Sequence, residues 1–151
     1  MLRDEINEAV KTAMKSQEKL KLSTLRMVNS AIKNADIEAR GAGKGALGDA
    51  DILGLLQKLI KQRRESVELY RKGGRQELVD QEEAEIAVIR GFLPQPLSDA
   101  DAREAIAAVI RETGASGMKD MGKVIAALKE RYAGRMDFGK ASALVKGMLT
   151  G

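Results

Sequence analysis

The chain holds two prolines in 151 residues, and they stand two positions apart at Pro94 and Pro96. Proline fixes φ, has no N–H to donate, and pushes the residue before it out of helical geometry. No regular helix runs through Leu93-Pro94-Gln95-Pro96-Leu97. Elsewhere the pattern is helical: apolar residues recur at helical spacing, and β-branched and aromatic residues never alternate over a run long enough for a strand. The reading is an all-α protein cut at the Pro-containing linker 94–97. A helical bundle of about four helices occupies 1–93, and a small three-helix domain occupies 98–151.

The spacing predicts a first helix over Leu2–Gln17, with Leu2, Ile6, Ala9, Val10, Ala13 and Met14 on one side. Ser23 is read as the cap of a second helix over Thr24–Arg40, whose inner stripe is Leu25, Val28, Ile32 and Ala35. The four glycines of Gly41–Gly48 mark a mobile loop, and Asp49 is read as the cap of a third helix reaching Lys72. At 1.5 Å per residue that helix is roughly 35 Å long and spans its domain. A fourth follows over Gln76–Leu93. Beyond the prolines, Ser98 and Asp101 open a fifth helix that Gly114 ends, a sixth covers Met118–Ala133, and Asp137 caps a seventh over Phe138–Leu149.

Composition narrows the chemistry. Hydrophobic residues at 44% and charged residues at 32% suit a folded chain. Cysteine and histidine are both absent, which removes thiol nucleophiles, disulfides, thiolate metal sites, Ser-His-Asp triads and imidazole bases. The longest apolar runs, such as Ala105–Ile110, fall far short of the ~20 residues of a membrane helix. The N-terminus carries early acids and no apolar stretch of a secretory leader, so a cytoplasmic protein is expected. Four aromatic residues, Tyr70, Phe92, Tyr132 and Phe138, are too few for a base-stacking platform. The net charge of +4 permits an anionic partner without requiring one.

Among the charged positions, Arg63 is anomalous. With Ile52 at zero it falls at about 20°, inside the apolar stripe of Leu56, Leu59, Ile60, Val67 and Tyr70. It is a candidate for a structural ion pair with Glu82, Glu83, Glu85 or Asp36, or for a ligand-facing role. Lys58, Lys61, Arg64, Arg71, Lys72 and Arg75 form a secondary basic face, either a phosphate-binding surface or a solvated side matched to the acids of the next helix. Gly43-Lys44-Gly45 is no phosphate loop, because Gly45 stands where Ser or Thr is required and a helix precedes it. The acids at Asp49/Asp51 and Glu82/Glu83/Glu85 are explained as caps and helix starts, so no metal and no cofactor are expected. In the C-terminal part, Lys119 and Lys123 project away from the stripe of Met121, Val124, Ile125, Leu128 and Tyr132. Gly122 in an early turn implies a close approach, by a neighbouring helix or by an RNA backbone.

Several segments then resemble the GatB/YqeY family: Leu25-Arg26-Met27-Val28-Asn29-Ser30-Ala31-Ile32-Lys33-Asn34, Lys61-Gln62-Arg63-Arg64-Glu65-Ser66 and Tyr70-Arg71-Lys72-Gly73-Gly74-Arg75. So do Glu77-Leu78, Gln81-Glu82-Glu83-Ala84-Glu85-Ile86, Phe92-Leu93-Pro94 and Lys119-Asp120-Met121-Gly122-Lys123-Val124, in order along essentially the whole chain. The resemblance implies an all-α fold related to the C-terminal helical tail of the B subunit of the glutamine-dependent tRNA amidotransferase. It implies a non-catalytic accessory that grips tRNA, with Lys119, Lys123, Lys140 and Lys146 as the candidate phosphate contacts. The alternative is a helical module docking on a partner enzyme. The label of carbon–nitrogen ligase with glutamine as amido-N donor is read as inherited from the parent enzyme, because no glutaminase nucleophile or ATP site is visible in these residues.

Overall fold

The apolar stripes close on one another in two separate places. The computed structural model describes residues 1–150 and consists of helices and loops, with no strand among the described residues. In chain order the helices are α1 (Leu2–Lys15), α2 (Lys19–Gly41), α3 (Asp49–Lys72), α4 (Gln76–Arg90), α5 (Asp99–Thr113), α6 (Met121–Tyr132) and α7 (Phe138–Thr150). A single 3-10 turn, Met118–Asp120, leads into α6. The chain divides into two compact units, Met1–Leu93 and the part that begins at Pro94.

In the first unit the core is built from Leu2, Ile6 and Ala13 of α1, Leu25, Val28 and Ile32 of α2, Leu56 and its neighbours of α3, and Ile89 of α4. In the second, Ile106 and Val109 of α5 meet Val124 and Leu128 of α6 and Ala141 and Val145 of α7, with Met136 from the α6–α7 connection. Burying one such side chain contributes about 1.5–3 kcal/mol, so these cores supply most of the drive to fold.

Three helix starts differ from the sequence expectation, and α1 and α4 end earlier than expected, at Lys15 rather than Gln17 and at Arg90 rather than Leu93. Gln17 adopts φ +59°, a left-handed turn that lets the chain reverse at once, and α2 starts at Lys19 rather than after Ser23. Ser23 is therefore no cap: its hydroxyl donates back to the Leu20 carbonyl at 3.1 Å, a bond that competes with capping. Asp49 is not the cap of α3 either. Gly48 holds that position, with the Asp51 carboxylate accepting from its N–H at 3.2 Å. Asp49 instead accepts from the Leu2 N–H at 3.1 Å, satisfying an orphan first-turn donor of α1. The sixth helix begins at Met121, the 3-10 turn taking the three residues before it. Gly122 meets no close neighbour: a Cβ there would touch nothing within 4 Å, so the expected approach of a packed helix is absent.

One polar knot organises the first unit. Arg3 of α1 forms a bidentate pair with Asp36 of α2, at 2.8 and 3.0 Å, and also donates to the Leu47 carbonyl at 3.1 Å. Asp36 accepts from the Leu47 N–H at 3.0 Å as well. The glycine-rich connection is thus pinned at its far end, just before α3 begins. In the second unit, Ser98 caps α5 by accepting from the Asp101 N–H, and Gly114 closes it at φ +67°, in the left-handed region where a Cβ is disfavoured. Asp137 accepts from the Gly139 and Lys140 N–H groups at the start of α7.

The knot predicts an acid limb of stability. Hydrogen bonds from Arg3 and then from the Leu47 N–H lower the Asp36 carboxyl from an ordinary 3.8 to about 2. A carboxyl depressed in the folded state stabilises above its unfolded pKa and loses that contribution as pH falls through the folded value. The urea midpoint of the wild-type protein should therefore drop between pH 4 and about 2. Asp36→Asn should start lower and show a shallower fall across that window; equal slopes for the two proteins would contradict the assignment.

Candidate functional site

The charged side chains sort into those consumed inside the fold and those left outward. Arg63 belongs to the first group. Its position within the α3 stripe aims it at α4, where Nε lies 3.2 Å from Glu85 and 4.0 Å from Glu82. One terminal nitrogen donates to the Leu59 carbonyl at 3.2 Å and the other lies 3.6 Å from the Met27 sulfur of α2. Asp36, considered as a partner on sequence grounds, is occupied by Arg3 instead.

The basic face of α3 is partly spent on its own neighbours. Arg71 pairs with Glu68 at 2.8 Å and reaches Glu83 of α4 at 3.4 Å; with Arg64, Val67 and Ile86 these residues line a shallow groove along the α3–α4 pair. Arg75 pairs with Glu77 at 2.8 Å. Lys58, Lys61, Arg64 and Lys72 are exposed and engage no carboxylate among the described residues. The face therefore has four open cations and two closed ones.

In the second unit, Lys119 sits on the 3-10 turn, Lys123 on α6, and Lys140 and Lys146 on α7, all exposed. Lys123 is not idle: its Nζ donates to the Thr113 carbonyl at 3.0 Å and so satisfies one of the last carbonyls of α5. The other three lysines make no side-chain bond among the described residues. Lys140 and Lys146, six positions apart on one helix, lie about 120° apart around its axis and so do not share a single line. Lys119 and α7 are brought together, because α7 packs against the 3-10 turn. Arg131 is taken by Glu112, and Arg135 by the Gln95 carbonyl at 2.9 Å. Gly122 and Gly147, each adjoining one of these lysines, have open space where a Cβ would stand.

A family model described as Yqey-like protein matches residues 3–149. The chain belongs to the YqeY-like protein family. Similar proteins include "Altered inheritance of mitochondria protein 41, mitochondrial" of Lachancea thermotolerans, 37% identical over 60% of this chain and 46% of the relative. "Uncharacterized protein C22F3.15" of Schizosaccharomyces pombe is 35% identical over 62% of this chain and 73% of its own. A Pyrenophora tritici-repentis protein of the first name is 29% identical over 81% of this chain and 68% of its own. The match spans about half the length of the Lachancea thermotolerans protein and about two thirds or more of the other two. The relatives named as mitochondrial run against the expectation of a cytoplasmic protein, which is withdrawn. That expectation rested on the lack of an apolar secretory leader, and such a lack does not separate cytoplasm from mitochondrion, whose transit peptides are amphipathic. No helix among the described residues is long and apolar enough to cross a membrane, and no acidic cluster there could hold a metal ion.

The ion pairs and the open glycine give two expected outcomes. Arg63→Ala leaves two half-buried carboxylates without their cation and should destabilise the protein by about 3 kcal/mol, against about 0–1 kcal/mol for the exposed Arg71→Ala; urea unfolding at pH 7 reads both. Gly122→Ala removes a flexible residue from a helix where the added methyl has room, and should stabilise by about 0.5–1 kcal/mol. A lower melting temperature for Gly122→Ala would show that something does pack there.

Proposed function

We propose that the protein is a non-catalytic accessory that holds structured RNA of the tRNA type by its phosphates, through the lysines of the second unit. The observation that carries this reading is the uncommitted state of Lys119, Lys140 and Lys146, exposed and without a carboxylate partner among the described residues. Cations already paired within a fold gain little from a phosphate, whereas free ones release the counterions of the nucleic acid. The open surface at Gly147, beside Lys146, and at Gly122, beside Lys123, removes side-chain bulk, which favours close approach of a sugar–phosphate chain. The four aromatic rings are all partly covered, so backbone contact rather than base stacking is the mode that suits this surface. The resemblance to the tRNA-gripping tail of the amidotransferase B subunit points the same way.

A second reading, docking of the helical module on a partner enzyme, draws on Met118 and Met148, which are 42% and 37% exposed in that unit.

A titration of total tRNA against the purified protein separates the two. Phosphate gripping by about four lysines should weaken binding on the order of 10²-fold between about 50 and 200 mM salt. Lys119→Ala should lower the slope of log K against log salt by about 0.9. Lys119 is the better probe because removing Lys123 would also uncap α5. Affinity that ignores salt, or no binding at low salt, would reject the RNA reading.

A further inference from the structure

Arg63 has one Nε–H and two carboxylates beside it. Glu85 stands at 3.2 Å and accepts that hydrogen; Glu82, one turn earlier on α4, stands at 4.0 Å and does not. The three side chains are only 15%, 16% and 21% exposed, so water gives the surplus carboxylate little relief. Two anions against one cation in a partly dry site leave a charge that a proton can remove.

We infer that Glu82 and Glu85 share one proton above Arg63, and that this proton is a latch holding α4 against α3. With the proton present, the Glu82 carboxyl donates to the Glu85 carboxylate, which in turn accepts from Arg63, and the chain carboxyl–carboxylate–guanidinium is neutral. When the proton leaves to solvent, two carboxylates face each other across three residues of one helix with one guanidinium between them, and the α3–α4 contact weakens. The groups acting on Glu82 are few: Arg63 from α3 and Glu85 from its own helix. The other helix packed against α4 is α2, which presents the Met27 thioether to the same guanidinium. Burial, and next the neighbouring Glu85, push the Glu82 carboxyl above its ordinary value, consistent with that geometry.

The chain is well suited to reveal such a latch, since it has no histidine to titrate between pH 5 and 7. A carboxyl raised in the folded state stabilises fully below its unfolded pKa and loses that contribution as pH rises through the folded value. The direction is opposite to that of Asp36.

The test is urea unfolding of the full chain from pH 4.5 to 7.5, with Glu82→Gln alongside. The amide imitates the protonated carboxyl, so the variant should match or exceed the wild type at pH 7.5. Its midpoint should also change less with pH than that of the wild type. Parallel curves would overturn the latch. Should the variant fail to fold, carbon-13 titration of the wild-type side-chain carboxyls decides. One glutamate titrating clearly above the ordinary range supports the shared proton, and all glutamates titrating near ~4.3 removes it.

Discussion

The first unit depends on a single guanidinium–carboxylate fork. Arg3 and Asp36 join α1 to α2, and both then reach the backbone of Leu47, one through its carbonyl and the other through its N–H. A planar, five-donor guanidinium can do this at once, which a lysine ammonium cannot match in geometry. The consequence is cooperative. Fixing Leu47 fixes the entry into α3, and Asp49 two residues on is thereby placed to accept from Leu2 at the start of α1. Two helix starts, those of α1 and α3, are set by one ion pair, where the glycine-rich connection alone would set neither.

Polar groups elsewhere follow a division of labour. Arg63, Arg71, Arg75 and Arg131 all answer acids within their own unit, while several lysines answer nothing. Arginine is the better partner for a carboxylate held at fixed geometry, and lysine the more adaptable point charge. The division is partial, since Arg64 stays as open as Lys58 and Lys61, but on the proposed RNA-binding surface the uncommitted groups are lysines, which offer charge to a phosphate without a rigid template for it. That fits contact with a nucleic-acid backbone better than recognition of a base edge.

Periodicity made the helices legible because burial enforces it: residues such as Leu25, Val28 and Ile32 sit at the predicted spacing and are almost wholly covered. Capping was less legible. Ser23 and Asp49 are both good cap residues by type, yet a left-handed Gln17 moved one helix start and a neighbouring helix claimed the other carboxylate. Such outcomes are decided by tertiary contacts that a local rule does not contain. Arg63 was visible as an anomaly because a charge inside an apolar stripe is rare; its preference for Glu85 over Asp36 was not, since that depends on Arg3, 33 positions before Asp36, claiming that carboxylate. The lysines could be named from sequence, but which of them were free could not. Lys123 turned out to serve the end of α5. Gly122 shows the opposite lesson: a costly residue type suggested a packed neighbour where there is only open surface.

The strap that follows the first proline is not slack chain. The Leu97 N–H donates to the Arg135 carbonyl at 2.9 Å, and Arg135 Nε donates back to the Gln95 carbonyl at 2.9 Å. These two bonds stitch the proline segment to the connection between α6 and α7, so the second unit effectively begins three residues before the cap of α5. Anyone transplanting this unit as a cassette would have to keep Gln95 and Leu97. A fusion junction placed at Ser98, where the helix visibly starts, would discard both stitches and leave Arg135 holding nothing.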